Sequence, residues 1–180
     1  MNQPVSPAPE ANWVFGYGSL MWNPGFAFEE RQNALIRGLH RALCIWSHVH
    51  RGTPEKPGLV LGLDRGGSCR GVAFRVASEH WAATVDYLRR REQATSVYIE
   101  ILHEARLEDG RHVRALAYRA DRAHRQYCGK LPDRQLLEVV RGGVGLSGAN
   151  PDYVLATHDH LDELGIPDRT LAWLSHQLRG

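Results

Sequence analysis

Apolar residues arrive along this chain in two rhythms. From Trp13 to Val76, and again from Val97 to Arg119, they come in short runs or alternate, which is the period of strands. From Ser78 to Glu92, and from Asp133 onward, they recur every three or four positions, which is the period of helices.

The strand-like half is punctuated by turn chemistry. Trp13, Val14 and Phe15 form an apolar run stopped by Gly16 and Gly18, as expected of a buried strand that ends in a tight turn, and Pro24 and Gly25 mark a further turn. Residues 34–46 are β-compatible, with Gly38 predicting a bulge or bend. Residues 51–58 (RGTPEKPG) read as a loop. Two strands are expected next, over residues 59–63 and 69–76, with residues 64–67 (DRGG) as a hairpin connection between them. Glu108, Asp109 and Gly110 predict a hairpin turn between the strands of 97–107 and 112–119.

The helical half begins at Ser78, which is placed to act as an N-cap, with Trp81, Val85 and Leu88 forming one buried stripe. Further helices are expected from Asp133 to the Gly142 and Gly143 pair, from about Pro151 to Leu164, and after Pro167. Strands early and helices late, with little alternation between them, argue against a parallel doubly wound sheet. The expected class is α+β: a small, mainly antiparallel β-barrel flanked by helices. Residues 1–12, with three prolines and no apolar run to pack, read as a disordered N-terminal tail, and 13–180 as a single domain.

Composition narrows the function classes. A net charge of +2 with scattered Lys and Arg gives no basic patch for nucleic acid. Cys44, Cys69 and Cys128 form no C-x-x-C pair, so neither a disulfide framework nor a cysteine zinc site is expected. The N-terminus lacks the apolar core of a signal peptide, and no stretch reaches the roughly 20 apolar residues that span a bilayer. A cytoplasmic protein without membrane association is expected, and with no heptad pattern, a monomer.

Three features bear on chemistry. Gly16-Tyr17-Gly18 opens like a dinucleotide loop, but position 21 is Met21 where the third glycine belongs, and no βαβ unit surrounds it. What remains is either a tight strand exit or a pair of glycines that turn successive N–H groups toward one anion. Extending the stripe of Trp81, Val85 and Leu88 by one turn reaches Glu92. Either this carboxylate projects inward, where ionisable groups need a partner or a purpose, or the helix frays and Glu92 caps a loop or pairs with Arg89. The pairs His48/His50 and His158/His160 lack a third and fourth ligand, so no metal and no other cofactor is expected. No G-x-S-x-G elbow supports a nucleophilic triad.

Several ordered motifs together resemble one family. Residues 13–22 (WVFGYGSLMW), Pro24-Gly25-Phe26, Arg37-Gly38, residues 51–55 (RGTPE), residues 57–63 (PGLVLGL), residues 66–69 (GGSC) and Gly71-Val72-Ala73 are similar to the ChaC family of glutathione-specific γ-glutamylcyclotransferases. So are Arg91-Glu92 with Tyr98, Asn150 with Tyr153, and Leu164-Gly165-Ile166. The resemblance implies an enzyme with a compact barrel-and-helix fold that converts glutathione to 5-oxoproline and Cys-Gly without a cofactor. It implies Glu92 as the acid/base residue, backbone amides of Tyr17, Gly18, Ser19 and Leu20 as the substrate loop, and Tyr153 as a substrate contact. Arg51 is either a solvated loop arginine or a residue that meets the glycine carboxylate of glutathione. One departure stands out: where the family commonly has glycine after the glutamate, this chain has Gln93-Ala94-Thr95-Ser96-Val97. Two rival readings are a cyclotransferase for other γ-glutamyl compounds and a non-catalytic binding protein on the same fold.

Overall fold

The computed structural model describes residues 12–93 and 95–180, so of the expected N-terminal tail all but Asn12 lies outside the described residues. Asn12 belongs to the folded part. Its carbonyl accepts a hydrogen bond from Val76 N–H at 2.8 Å, and its side-chain amide donates to Ser78 Oγ.

Five strands close a barrel in the order β1-β3-β2-β4-β5, joined again at β1: β1 (Trp13–Gly16), β2 (Glu30–Ser47), β3 (Gly58–Arg75), β4 (Tyr98–Leu107) and β5 (His112–Ala120). All neighbours are antiparallel except β1 with β5 and a single β3–β5 contact at Leu63 and Arg119. Helix α1 (Ser78–Glu92) follows β3, and α2 (Asp133–Gly142), α3 (Asn150–Glu163) and α4 (Arg169–Arg179) follow the barrel. A two-stranded ribbon, β6 (Val144–Gly145) and β7 (Gly148–Ala149), links α2 to α3. The structure is thus the α+β barrel with flanking helices that the pattern predicts.

The hairpin expected at residues 64–67 is a correction. Both halves of that region pair with the same strand, β2, from Gly58 opposite Ser47 to Arg75 opposite Glu30, so they are one 18-residue strand. Gly38, Gly66 and Gly67, at φ 83°, 101° and 65°, sit together at a register shift and bend the two long strands instead of reversing one. A second local correction concerns Ser78: Ala77 occupies the N-cap of α1, and the Ser78 hydroxyl accepts from Asn12 rather than capping the helix.

Strand β1 is buried on both faces, which is why it reads as an unbroken apolar run. Trp13 and Phe15 join the barrel interior and the inner faces of α2, α3 and α4, including Val140, Val154 and Leu171. Val14 packs the other way, with Leu88 of α1, Leu116 and Tyr118. Burial of each such side chain contributes about 1.5–3 kcal/mol. Together they fix the C-terminal end of α1 against the loop that leaves β1.

Candidate active site

The site forms where the barrel lacks a strand. On the edge of β3 opposite β2, β1 pairs only with Val72 through Arg75, and β5 meets only Leu63. The stretch from Leu59 to Leu61 would leave backbone groups unpaired in a buried place, at a cost of about 1–3 kcal/mol each. Side chains take the place of the strand. Asn150, fully buried at the start of α3, accepts from Leu59 N–H at 2.8 Å and donates its amide to Leu59 C=O at 2.8 Å. One turn on, Tyr153 Oη accepts from Leu61 N–H at 3.0 Å, while Tyr98 Oη at the start of β4 donates to Leu61 C=O at 2.8 Å. The gap they leave is a cleft of about 470 Å³, partly open to solvent, whose walls include Tyr17, Tyr98, Tyr118, Tyr153 and Glu92.

One wall of the cleft is the loop after β1. Beyond Gly16 the chain passes through Tyr17 and Gly18 into a single 3₁₀ turn over Ser19–Met21. The turn is closed by Met21 N–H bonding to Gly18 C=O at 2.9 Å, and it leaves the N–H groups of Gly18, Ser19 and Leu20 with no protein acceptor among the described residues. Three successive donors at the start of a helical turn suit an anion. Arg91 ties this loop to α1: its guanidinium donates to Ser19 Oγ at 2.9 Å, to the carbonyls of Asn23 and Pro24, and to Tyr87 Oη.

Glu92 is the last residue of α1 and carries the stripe of Leu88 one turn further into the cleft. Its side chain is 17% exposed. Its nearest charge is Arg91, Nε to Oε1 3.5 Å, whereas Arg89, the alternative partner, is engaged by Glu100. Burial pushes the Glu92 carboxyl above the ordinary carboxylate range, and the Arg91 guanidinium opposes part of that shift. The surrounding phenols move the other way in usefulness. Burial raises Tyr17 and Tyr98 well above the usual phenol value, raises Tyr118 as well, and pushes Tyr153 up to about 12. Near neutral pH they remain protonated, able to donate a hydrogen bond but not to accept a proton. Among the residues lining the cleft, Glu92 is the carboxylate that can exchange one.

Of the residues singled out from the sequence, Tyr17, Gly18, Ser19, Leu20, Glu92 and Tyr153 meet in this cleft. Arg51 does not line it. Its guanidinium donates to Ala149 C=O at 3.1 Å and lies over the ring of Tyr153, 5.5 Å from the centroid, so it stands behind that tyrosine. Sequence reasoning missed Leu61, Tyr98 and Tyr118 as walls, and Arg91 as the brace of the loop. Leu61, Arg91 and Tyr98 stood in the motifs that carry the family resemblance, without a role attached to any of them. Glu92 also borders a second cleft of about 570 Å³, walled by Trp46, Ser47, His48, Val97, Tyr98 and Gln126.

His48 and His50 both border the second cleft. His50 hydrogen bonds to Ser147 Oγ, and His160 stacks on Trp22 with ring centroids 4.3 Å apart. Among the described residues no three His, Cys, Asp or Glu side chains gather as a metal site, and no helix is long and apolar enough to cross a membrane.

Comparison with known proteins agrees with this geometry. The glutathione-specific γ-glutamylcyclotransferase of Escherichia coli (strain K12) is 35% identical over 156 residues, covering 87% of this chain and 68% of the relative. Glutathione-specific γ-glutamylcyclotransferase 1 of Homo sapiens is 32% identical over 161 residues, covering 87% and 72%. The crystal structure of a yeast γ-glutamylcyclotransferase specific to glutathione superposes with a TM-score of 0.83, covering 93% of this chain and 95% of that one; at 22% identity it speaks for the fold. The family model described as ChaC-like protein matches residues 12–179, from the asparagine that anchors β1 to the last turn of α4, and the chain therefore belongs to the ChaC-like family.

Proposed function

We propose that this chain is a glutathione-specific γ-glutamylcyclotransferase that releases 5-oxoproline and Cys-Gly, with Glu92 as general acid and base and without a cofactor. The observation that carries the reading is the position of Glu92: a mostly buried carboxylate with a raised pKa that shares one cleft with Gly18, Ser19 and Leu20, whose amides have no acceptor among the described residues, and that borders a second cleft as well.

The γ-glutamyl end fits the cleft beside the loop. There the amides of Gly18, Ser19 and Leu20 would hold its α-carboxylate or the oxyanion that develops on the γ-carbonyl. The Cys-Gly end extends into the second cleft, past Tyr98 toward His48 and Gln126. Glu92 then touches both nitrogens that change protonation. It takes a proton from the α-ammonium, the freed amine attacks the γ-carbonyl to form the ring C–N bond, and the tetrahedral centre collapses with cleavage of the peptide bond. The proton held by Glu92 passes to the cysteinyl nitrogen as its bond breaks, and the second proton, which the ring nitrogen sheds to become the lactam N–H, follows the same route through the regenerated carboxylate, so that Cys-Gly leaves as the ammonium. Nucleophile and electrophile belong to one molecule, so most of the enzyme's task is holding a bent conformer and moving protons between its two nitrogens.

Tyr153 contacts the substrate from the α3 side, and Arg51, stacked behind it, acts on selectivity through the placement of that phenol. The protein works as a cytoplasmic monomer, a setting consistent with Cys44, Cys69 and Cys128 all being free thiols. Incubating the purified protein with glutathione and quantifying 5-oxoproline and Cys-Gly tests the reading. Absence of 5-oxoproline would overturn it, and equal turnover of γ-glutamyl dipeptides would broaden the substrate class to γ-glutamyl compounds generally.

A further inference from the structure

The core face of β2 carries a charge that the reaction does not use. Side chains two apart on a strand share a face, and Leu39 and Leu43 both point into the barrel core. Arg41 lies between them, with a side chain only 4% exposed. A guanidinium placed inward in this way is costly to desolvate unless its donors are met. Here they are met. Nε donates to Tyr17 C=O at 2.6 Å and Nη2 to Arg70 C=O at 2.6 Å, and Nη1 lies 3.6 Å from Asp168 Oδ2. Asp168 in turn caps α4, its Oδ1 accepting from Leu171 N–H at 3.0 Å.

The bond to Tyr17 has a consequence on the other side of the peptide. There is no cis peptide among the described residues, and in a trans peptide plane the C=O of one residue and the N–H of the next point in opposite directions. Arg41 lines a different cavity from Glu92, one shared with His40, Asp64 and Leu136. A Tyr17 carbonyl drawn toward Arg41 therefore turns the Gly18 N–H away from it. Because position 18 is a glycine, no Cβ there restricts the turning of that peptide.

We propose that Arg41 is a positioning residue: by holding the Tyr17 carbonyl, it aims the Gly18 amide into the cleft as the first of the donors that meet the γ-glutamyl carboxylate. This rests on the cyclotransferase reading of the cleft. The planar fork of arginine suits the task because it reaches three partners in different directions, from β3, α4 and the loop, where a lysine would satisfy fewer. The N-terminus of α4, far along the chain, thereby sets the orientation of one peptide in the substrate loop.

The test uses Glu92→Gln protein, so that ligands bind without turning over. Calorimetry compares glutathione with an analogue in which the γ-glutamyl α-carboxylate is a carboxamide. With Arg41 present, the carboxylate should be preferred by at least about 100-fold, since the loss of a single well-aimed donor to a negative charge already costs on that scale. Arg41→Met should lower the preference by at least about tenfold while the Ser19 and Leu20 amides keep the carboxylate favoured, and Arg41→Lys should fall between. Asp168→Asn, which keeps a capping oxygen for Leu171 but weakens the hold on Arg41, should lose part of the preference while the melting temperature stays near that of the parent. An undiminished preference in Arg41→Met, or equal losses for both ligands, overturns the proposal, because a merely structural arginine would affect both alike. If glutathione fails to bind even with Arg41 intact, the cyclotransferase reading is at fault. The proposal is then decided by the crystal structure of Arg41→Met, in which an unaltered Tyr17–Gly18 peptide overturns it and a rotated one supports it.

Discussion

Glu92→Gln replaces a carboxyl group by an amide of the same shape at the end of α1, and its expected effects on rate and on stability have opposite signs. The side chain is 17% exposed and its pKa is raised, by burial first and with Arg91 opposing. For the rate, glutamine can neither accept the ammonium proton nor return it to the leaving nitrogen. General acid–base catalysis contributes about 10² to 10⁴-fold, and a group serving both transfers belongs at the upper end, near 4–5 kcal/mol of barrier. The Kd for glutathione should change by less than about tenfold, because the loop amides and not the carboxyl hold the γ-glutamyl end. For stability, a carboxyl whose folded-state pKa lies above its unfolded value favours folding only while protonated. That contribution is fully present below the unfolded pKa and is lost as pH rises through the folded one. Urea denaturation should therefore find Glu92→Gln and the parent nearly equal at pH 4. The variant should be the more stable at pH 8, by about 1.4 kcal/mol for each pH unit by which the pKa is displaced. Steady-state formation of 5-oxoproline gives the rate. Near-parent turnover would remove Glu92 from the proton transfers, and a variant less stable at pH 8 would recast it as half of a structural ion pair with Arg91.

Other expectations follow from neighbouring features. Asn150→Ala should destabilise the fold by about 2–4 kcal/mol in denaturant titration, since it strands both the N–H and C=O of Leu59; a loss under 1 kcal/mol would mean that water or a shifted strand replaces the side chain. Ser96 holds a left-handed φ of 58°, so Ser96→Gly should raise stability by about 1 kcal/mol. A lower melting temperature for that variant would show that the serine side chain contributes more than its backbone costs. Arg51→Ala should raise KM for glutathione more than for a γ-glutamyl dipeptide, because it removes the support behind Tyr153; parallel changes with both substrates would detach this loop from selectivity.

Much of this protein is legible in its residues alone, because the relevant signals are local. The change from alternating to helical apolar spacing at Ser78 marks where α1 begins, and extending the Trp81, Val85 and Leu88 stripe by a turn reaches Glu92, although periodicity left open whether it points inward or pairs with Arg89. Gly38 marks a bulge and Glu108 to Gly110 a hairpin, since each depends on backbone angles set by the residues themselves. Tertiary structure decided what depends on partners distant in sequence. Gly66 and Gly67 look like a turn until β2 runs past both sides of them, at which point they can only be a bend. The cleft exists because β1 is too short to cover the edge of β3, and the side chains that complete that edge, Asn150 and Tyr153, come from some 90 residues away. Arg51 and Arg41 show the same division. Both are plainly arginines near interesting loops, but whether a guanidinium meets substrate, supports a tyrosine or turns a peptide depends on which acceptors the folded chain brings within about 3 Å of it.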